Sequence, residues 1–264
     1  MDAKEVGRYW NENAEAWVNL SRQGFDVYRD LVNTPAFFQM LPKISNLDGL
    51  DIGCGEGANT RLLADRGAKM TALDISDAFI KHARTEEKAK PRDITYFQGN
   101  ALKLPFDDRK FHFATAFMSL MDIPDNEKAI AEAFRVIKPG GFFQFSITHP
   151  STALSHFKKL RSSDGRAYAF ELGGYFQQED GWIDEWTFKA APEDMRSRYD
   201  KFRIPRFCRT LSAWINALIG AGFIIEEMGE PKAGEEALAI RPKLADTHVF
   251  PYFLHIRSRR PRDP

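Results

Sequence analysis

Between Leu50 and Leu63 the chain reads LDIGCGEGANTRLL: a short apolar run, glycines at alternate positions 53, 55 and 57, then a segment patterned for a helix. No other stretch restricts the fold as much. A strand that turns on glycines straight into a helix brings backbone against a ligand at the carboxyl edge of a parallel sheet. The surrounding rhythm predicts such a sheet. Gly49 to Ile52 reads as a strand, Ala58 to Arg66 as a helix stopped at Gly67, and Lys69 to Leu73 as a second strand. Ser76 caps a helix to about Glu87, Asp93 to Phe97 and Phe111 to Phe117 are strands, and Asp125 or Asn126 caps a helix to about Val136. Lys138 to Gly141 is a turn before a strand from Phe142 to Thr148. Strands alternating with helices of this length mean right-handed crossovers and a parallel sheet.

The flanks differ. Val6, Tyr9, Trp10, Trp17 and Leu20 recur at helical spacing, and a second helix pattern runs from about Asp26 to Met40, interrupted at Thr34-Pro35. After Pro150 the alternation breaks for about sixty residues. That stretch carries one strand-like segment, Ile183 to Lys189, and seven aromatics from Tyr168 to Phe188, too many for a disordered linker. The rhythm returns with a helix from Leu211 to Ala221, a strand from Phe223 to Met228 and another from Val249 to Ile256. The last two strands are joined without a clear helix, so the final strand is expected to run antiparallel.

The glycine turn poses a choice of ligand. The dinucleotide fingerprint is G-x-G-x-x-G, with the pyrophosphate on a helix N-terminus. Here the third glycine comes one residue early, and Asp51 sets a carboxylate where a pyrophosphate would be repelled. Asp74 ends the second strand, where an acid accepts two hydrogen bonds from a ribose diol. Asn100, after the third strand, suits an adenine edge, and Ala101 leaves room for the ring. The set describes a nucleoside with a cationic or amino-bearing substituent and no phosphate.

At these residues the chain resembles a class I S-adenosylmethionine-dependent methyltransferase of the small-molecule type, similar to methyltransferase domains 11 and 25. The matching pieces are Leu50 to Gly57, Ala72 to Ser76, Gly99-Asn100-Ala101, Leu104-Pro105-Phe106 and Arg135 to Gly141, within residues 48–148. The resemblance implies an α/β fold, a Rossmann-like, doubly wound seven-stranded sheet of order 3-2-1-4-5-7-6 with strand 7 antiparallel. It implies S-adenosyl-L-methionine as cofactor and S-adenosyl-L-homocysteine as product. Gly53, Cys54, Gly55 and Gly57 would pass under the methionine part, with Asp51 near its amino group. Asp74 and Ile75 would hold the ribose, and Asn100 and Ala101 would flank adenine. Phe117 and Met118 would line the sulfonium. Many relatives carry Asp where Asn100 stands; its carbonyl oxygen can accept from the adenine amino group.

The remaining candidates have two readings each. Tyr9 and Trp10 either belong to a helical lid over the cofactor or pack their helix onto the domain. His149, just beyond strand five, is placed to take a proton from the acceptor as catalytic base, or it pins the loop. Tyr175 and Trp186 belong to an aromatic substrate roof. One of Arg203, Arg206 and Arg209 pairs with an acidic substrate group, or they form salt bridges to the loop. The chain divides into a helical lid (1–45), a cofactor-binding core (46–149), a substrate-cap insertion (150–208), the C-terminal part of the sheet (209–258) and a tail (259–264).

These features lead to methyl transfer to an O, N or C nucleophile of a small organic molecule. An NAD-dependent oxidoreductase conflicts with the early third glycine. A nucleic-acid or protein methyltransferase is disfavoured by Met118-Ser119-Leu120-Met121, where an amino-methyltransferase shows [DNS]-P-P-[FYW], and by a net charge of zero from 37 basic and 37 acidic residues. A non-catalytic cofactor binder stays open. No metal-ligand spacing is visible, so no metal is expected. Two distant cysteines, no signal core and no run of about 18 apolar residues suggest a cytoplasmic protein that neither enters a membrane nor grips nucleic acid, as a monomer or homodimer.

Overall fold

The computed structural model describes residues 1–153, 156–177 and 180–263. The chain opens with helix α1 (Ala3–Ser21), capped by Asp2, and then a π-helical turn, Arg29–Asn33, that runs directly into α2 (Thr34–Met40). The expected interruption at Thr34-Pro35 is absent. Pro35 has no N–H to give, and Thr34 N–H reaches back five residues to the Arg29 carbonyl, so the helix absorbs the proline as a π turn.

Next come β1 (Asp48–Ile52), α3 (Ala58–Ala64), β2 (Lys69–Asp74), α4 (Asp77–Ala89), β3 (Thr95–Gln98), β4 (Phe111–Phe117), α5 (Asn126–Val136) and β5 (Ile137–Thr148). Ser76 Oγ caps α4 and Asp125 caps α5. The strand β5 already begins at Ile137 and runs through Lys138 to Gly141, where a turn is predicted; Gly140, at φ 80°, lets the strand kink without leaving the sheet. Two antiparallel hairpins form the insertion: β6 (His156–Arg161) with β7 (Ala167–Gly173), and β8 (Asp180–Trp186) with β9 (Phe202–Phe207), the latter pair joined through the short α6 (Glu193–Arg196). The chain then forms α7 (Leu211–Ala221), β10 (Ile224–Gly229), α8 (Glu235–Ile240) and β11 (Phe253–Arg259). Between β10 and β11, where no helix is expected, lie α8 and a 3₁₀ stretch, Pro242–His248. Six residues of α8 are too short to carry a parallel crossover, and β11 runs antiparallel. Of the tail, Pro264 lies outside the described residues.

The central sheet has the order β3-β2-β1-β4-β5-β11-β10. Counted within the sheet this is 3-2-1-4-5-7-6, with β11 antiparallel to both neighbours, as expected. Leu50, Ile52, Ala114, Phe143 and Phe145 from the inner strands are fully buried against α5 and α7 on one face. On the other, Phe113, Met70 and Ala72 pack under α3 and α4. Both faces are covered, which is why the inner strands read as unbroken apolar runs.

The helical arm and the insertion are tied to each other. The Asn13 amide of α1 exchanges two hydrogen bonds, each 3.0 Å, with the backbone of Arg203 in β9, standing in for a neighbouring strand. Trp17 packs edge-on against Trp186 and Phe188. The arm is also fixed to the core: Asn11 Oδ1 accepts from Ser76 Oγ and Ala78 N at the start of α4, and Arg22 meets Glu56 of the glycine turn at 2.5 Å.

Candidate active site

The glycine turn holds itself together with its own backbone. Gly53 N–H and Cys54 N–H both donate to the Leu73 carbonyl, at 2.7 and 3.0 Å; Gly57 N–H donates to the Cys54 carbonyl, and Gly55 N–H to the Asp74 carboxylate. Four donors that a phosphate cradle would aim at its ligand are therefore spent inside the protein. Gly53, Gly55 and Gly57 all have φ between 55° and 81°. A Cβ on Gly53 would lie 2.4 Å from Ser119 Cβ, and one on Gly57 2.4 Å from Tyr96 Oη. At Gly55 a Cβ would meet nothing within 4 Å, because this residue faces open space.

That space is a cavity of about 680 Å³ beyond the carboxyl ends of β1, β2 and β4, roofed by the helical arm and the insertion. Its cofactor side is lined by Gly53, Cys54, Gly55, Asp74, Ile75, Asn100, Ala101, Phe117, Met118 and Trp10, all predicted contacts. Asp74 is held by Gly55 N–H and Ser76 N–H, one on each oxygen, both at 2.8 Å, which leaves its outer lone pairs for a diol. Burial pushes its carboxyl up to about 6 against the pull of these backbone donors. The Asn100 carbonyl oxygen takes the Leu102 N–H at 2.9 Å, so its amide NH₂ is the half left to face a ligand. Met118 sits in the left-handed region at φ 54°, where a side chain at a strand end costs energy and marks a shaped site. An open glycine edge, a fixed carboxylate, an amide and a small alanine fit S-adenosylmethionine.

Three predicted cofactor residues lie elsewhere. Asp51 does not line the cavity: it is 2% exposed, with Oδ2 taking the Thr60 hydroxyl at 2.6 Å and Oδ1 the Thr115 hydroxyl at 2.9 Å. It is a strut between β1, α3 and β4, and burial pushes it up to about 6. Gly57 is a close-packing glycine against Tyr96, and Tyr9 is buried between Arg8 and Arg203. The Cys54 thiol, pushed up by burial and by Asp74 and Asp51, is no thiolate nucleophile.

Trp17, Phe25, Trp186, Phe188, Phe157 and Tyr252 make the far half of the cavity largely aromatic. Trp186 is thus where it is expected. Tyr175 is not; its hydroxyl accepts the Leu211 N–H at the start of α7. The Arg203 side chain lies over Tyr9 and near Glu185, and Arg209 pairs with Asp180 beside a separate chamber of about 70 Å³. These two arginines have the salt-bridge placement. His149 also lies away from the cavity: its Nε2 is 2.9 Å from Glu230 and its Nδ1 accepts Ser151 N–H. Burial holds its ring below the usual histidine range, with Glu230 opposing.

Of the polar residues that line the cavity, sequence reasoning names Arg206 as a candidate for an acidic substrate group and passes over the others. Arg206 of β9 reaches Asp122 at 2.9 Å and Asp184 at 3.3 Å, closing the wall between the cavity and the small chamber. Asp26 and Arg29 also line the cavity; burial pushes Asp26 up to about 6, with Arg29 pulling it down. Tyr28, Lys159 and Tyr252 converge on Asp246 at 2.7, 2.6 and 2.9 Å. Apart from Asp26 and Arg29, three residues apart, and Tyr252 and Asp246, six apart, these partners meet from 22 to 218 residues away and leave no spacing signal.

The sheet order, the self-satisfied glycine turn and the carboxylate at the end of β2 define a class I S-adenosylmethionine-dependent methyltransferase. Comparison with known proteins agrees. The family described as Methyltransferase domain matches residues 50–145. A demethylmenaquinone methyltransferase of Tropheryma whipplei is 32% identical over 179 residues, 63% of this chain and 74% of that protein. One of Lactococcus lactis is 29% identical over 174 residues, 61% of this chain and 65% of that one. The chain thus spans between about two thirds and three quarters of these relatives. The crystal structure of an S-adenosylmethionine-dependent methyltransferase from Mesorhizobium loti superposes with a TM-score of 0.70 at 27% identity, covering 86% of this chain and 96% of that one. The chain belongs to the S-adenosylmethionine-dependent methyltransferase family.

Proposed function

We propose that this methyltransferase transfers its methyl group to an O, N or C nucleophile of a small, planar, largely apolar molecule. S-adenosylmethionine, when bound, supplies a methyl group on a sulfonium. The chain's residues supply position: Asp74, Asn100 and the Gly55 edge orient the nucleoside, and Phe117 and Met118 close around the reacting end. The observation that carries the reading is the far half of the cavity, continuous with the glycine turn and walled by Trp17, Trp186, Phe188 and Tyr252. Flat rings suit a flat acceptor, and excluded water favours transfer to an anionic nucleophile, which neutralises charge. The names of the Tropheryma and Lactococcus relatives, which specify a demethylmenaquinone, support a quinol-like acceptor. Hydride transfer is disfavoured because the N–H groups of the turn are committed to the protein.

Calorimetry with S-adenosylhomocysteine and NADH, followed by transfer of labelled methyl to hydroxynaphthalenes, tRNA and histones, tests this. The expected result is binding of the homocysteine product alone and label in the naphthalenes. Tight NADH binding without response to S-adenosylhomocysteine, or label confined to macromolecules, overturns it.

A further inference from the structure

The aromatic half of the cavity contains a cation that the methyl-transfer machinery does not use. Lys159, on hairpin strand β6, lines the cavity with its side chain only 25% exposed. Its Nζ lies 4.8 Å from the ring centre of Tyr252, 5.5 Å from Tyr28 and 5.9 Å from Phe170. One of its three N–H groups is taken by Asp246 Oδ2 at 2.6 Å. The others have no protein acceptor among the described residues.

Asp246 does not leave the region neutral. Lys189 lines the same cavity, is exposed, and forms no ion pair among the described residues. Arg161, whose guanidinium donates to the Gly165 carbonyl, also acts electrostatically on Lys159 and both tyrosines. Electrostatically, Lys159 thus feels one carboxylate and two further cations. The Lys159 ammonium is held below the usual lysine range mainly by burial, with Arg161 and Lys189 pushing the same way and Asp246 opposing. An anion placed there would relieve this repulsion and meet unused N–H donors. The Tyr28 and Tyr252 hydroxyls both donate to Asp246 Oδ2, the oxygen that also takes Lys159, which orients the carboxylate.

We propose that Lys159, with Lys189, forms a subsite for a carboxylate carried by the methyl acceptor, in the part of the cavity walled by Tyr28, Phe157 and Tyr252. The surrounding rings of Tyr28, Phe157 and Tyr252 make an aryl carboxylate the class that fits. The proposal rests on the reading of this cavity as the acceptor site and narrows it: the acceptor carries an acidic group.

The test uses the full chain saturated with S-adenosylhomocysteine and two probes that differ by one carboxylate, 1-hydroxy-2-naphthoate and 1-naphthol. Trp10, Trp17 and Trp186 line the cavity, so tryptophan quenching reports binding directly. The naphthoate is expected to bind about tenfold tighter or more, the worth of one charged hydrogen bond. Lys159→Gln should erase that advantage while leaving 1-naphthol and S-adenosylhomocysteine affinities unchanged. Lys189→Gln, at an exposed residue, should reduce it about threefold. Equal binding of the two probes by the unaltered chain, or equal weakening of both by Lys159→Gln, overturns the subsite. Binding of neither probe, with S-adenosylhomocysteine still bound, overturns the acceptor-site reading itself and the subsite with it.

Discussion

Asp74 Oδ2 accepts the Gly55 N–H at 2.8 Å, so the acid that ends β2 and the turn that follows β1 are one structural unit. The other oxygen accepts Ser76 N–H. An asparagine here would set its NH₂ against one of these two donors in either orientation. Asp74→Asn is therefore expected to weaken S-adenosylhomocysteine binding by about 1–3 kcal/mol, from the turn as well as from the ribose. Calorimetry measures this; unchanged affinity would remove the ribose role.

Glycine substitutions separate folding from binding. Gly55→Ala costs about 1–2 kcal/mol for the left-handed backbone and meets no neighbour, so the protein should still unfold cooperatively. Its methyl group stands at the cavity edge, and cofactor affinity should fall at least about tenfold. Gly53→Ala adds a collision with Ser119 and should lower stability further. Thermal midpoints and calorimetry on both variants check the difference.

The buried carboxyls make a pH signature. Asp26, Asp51, Asp74 and Asp122 are each raised from near 4 to about 6, burial being the largest cause. A carboxyl raised in the folded state favours folding fully below its unfolded value, and that contribution is lost as pH rises through the folded one. His149 and His255, whose rings burial holds below the usual range, act in the opposite sense, so the thermal midpoint of the ligand-free protein should increase between pH 7.5 and pH 5.5 by less than the four carboxyls alone would give. Ribose hydroxyls donate to ionised Asp74, so binding of S-adenosylhomocysteine should release protons near pH 6, readable in buffers of different ionisation heat. A midpoint that falls across that interval would contradict the assignment.

Arg206 is the counter-ion of Asp122, which is 4% exposed. Arg206→Ala leaves that carboxylate buried and unpaired, an expected loss of about 3–5 kcal/mol near neutral pH. Below pH 6 Asp122 takes up a proton and much of the loss should return. Denaturant titration at pH 7.5 and 5 shows whether the penalty follows the charge.

His149 gives a contrasting expectation. Its ring is engaged by Glu230 and Ser151 outside the cavity. His149→Ala should cost about 1–2 kcal/mol of stability and leave cofactor affinity and turnover within about threefold, well under the 10²–10⁴ of a lost general base. A hundredfold fall in turnover with affinity intact would restore the catalytic reading.

Much of this protein is a consequence of local sequence. The strand–glycine–helix signal at 50–63, Asp74 at a strand end and Asn100 after the next strand give both the sheet and the cofactor half of the cavity. In a parallel α/β sheet all these strand ends meet at one edge, so spacing along the chain predicts position in space. Side-chain direction is a different matter. Asp51 lies one residue before the end of β1 and Asp74 at the end of neighbouring β2, yet one is turned inward by Thr60 and Thr115 and the other faces the cavity, a choice made by partners from α3 and β4. The acceptor half was decided by tertiary structure alone. Lys159, Tyr28 and the Asp246–Tyr252 stretch are three segments with no shared period, and β9 was hidden because the FRIPRF segment reads as a lead into a helix. An insertion folds by packing onto elements made elsewhere, here α1 through Asn13 and Trp17, and such long-range contacts leave no local pattern to read.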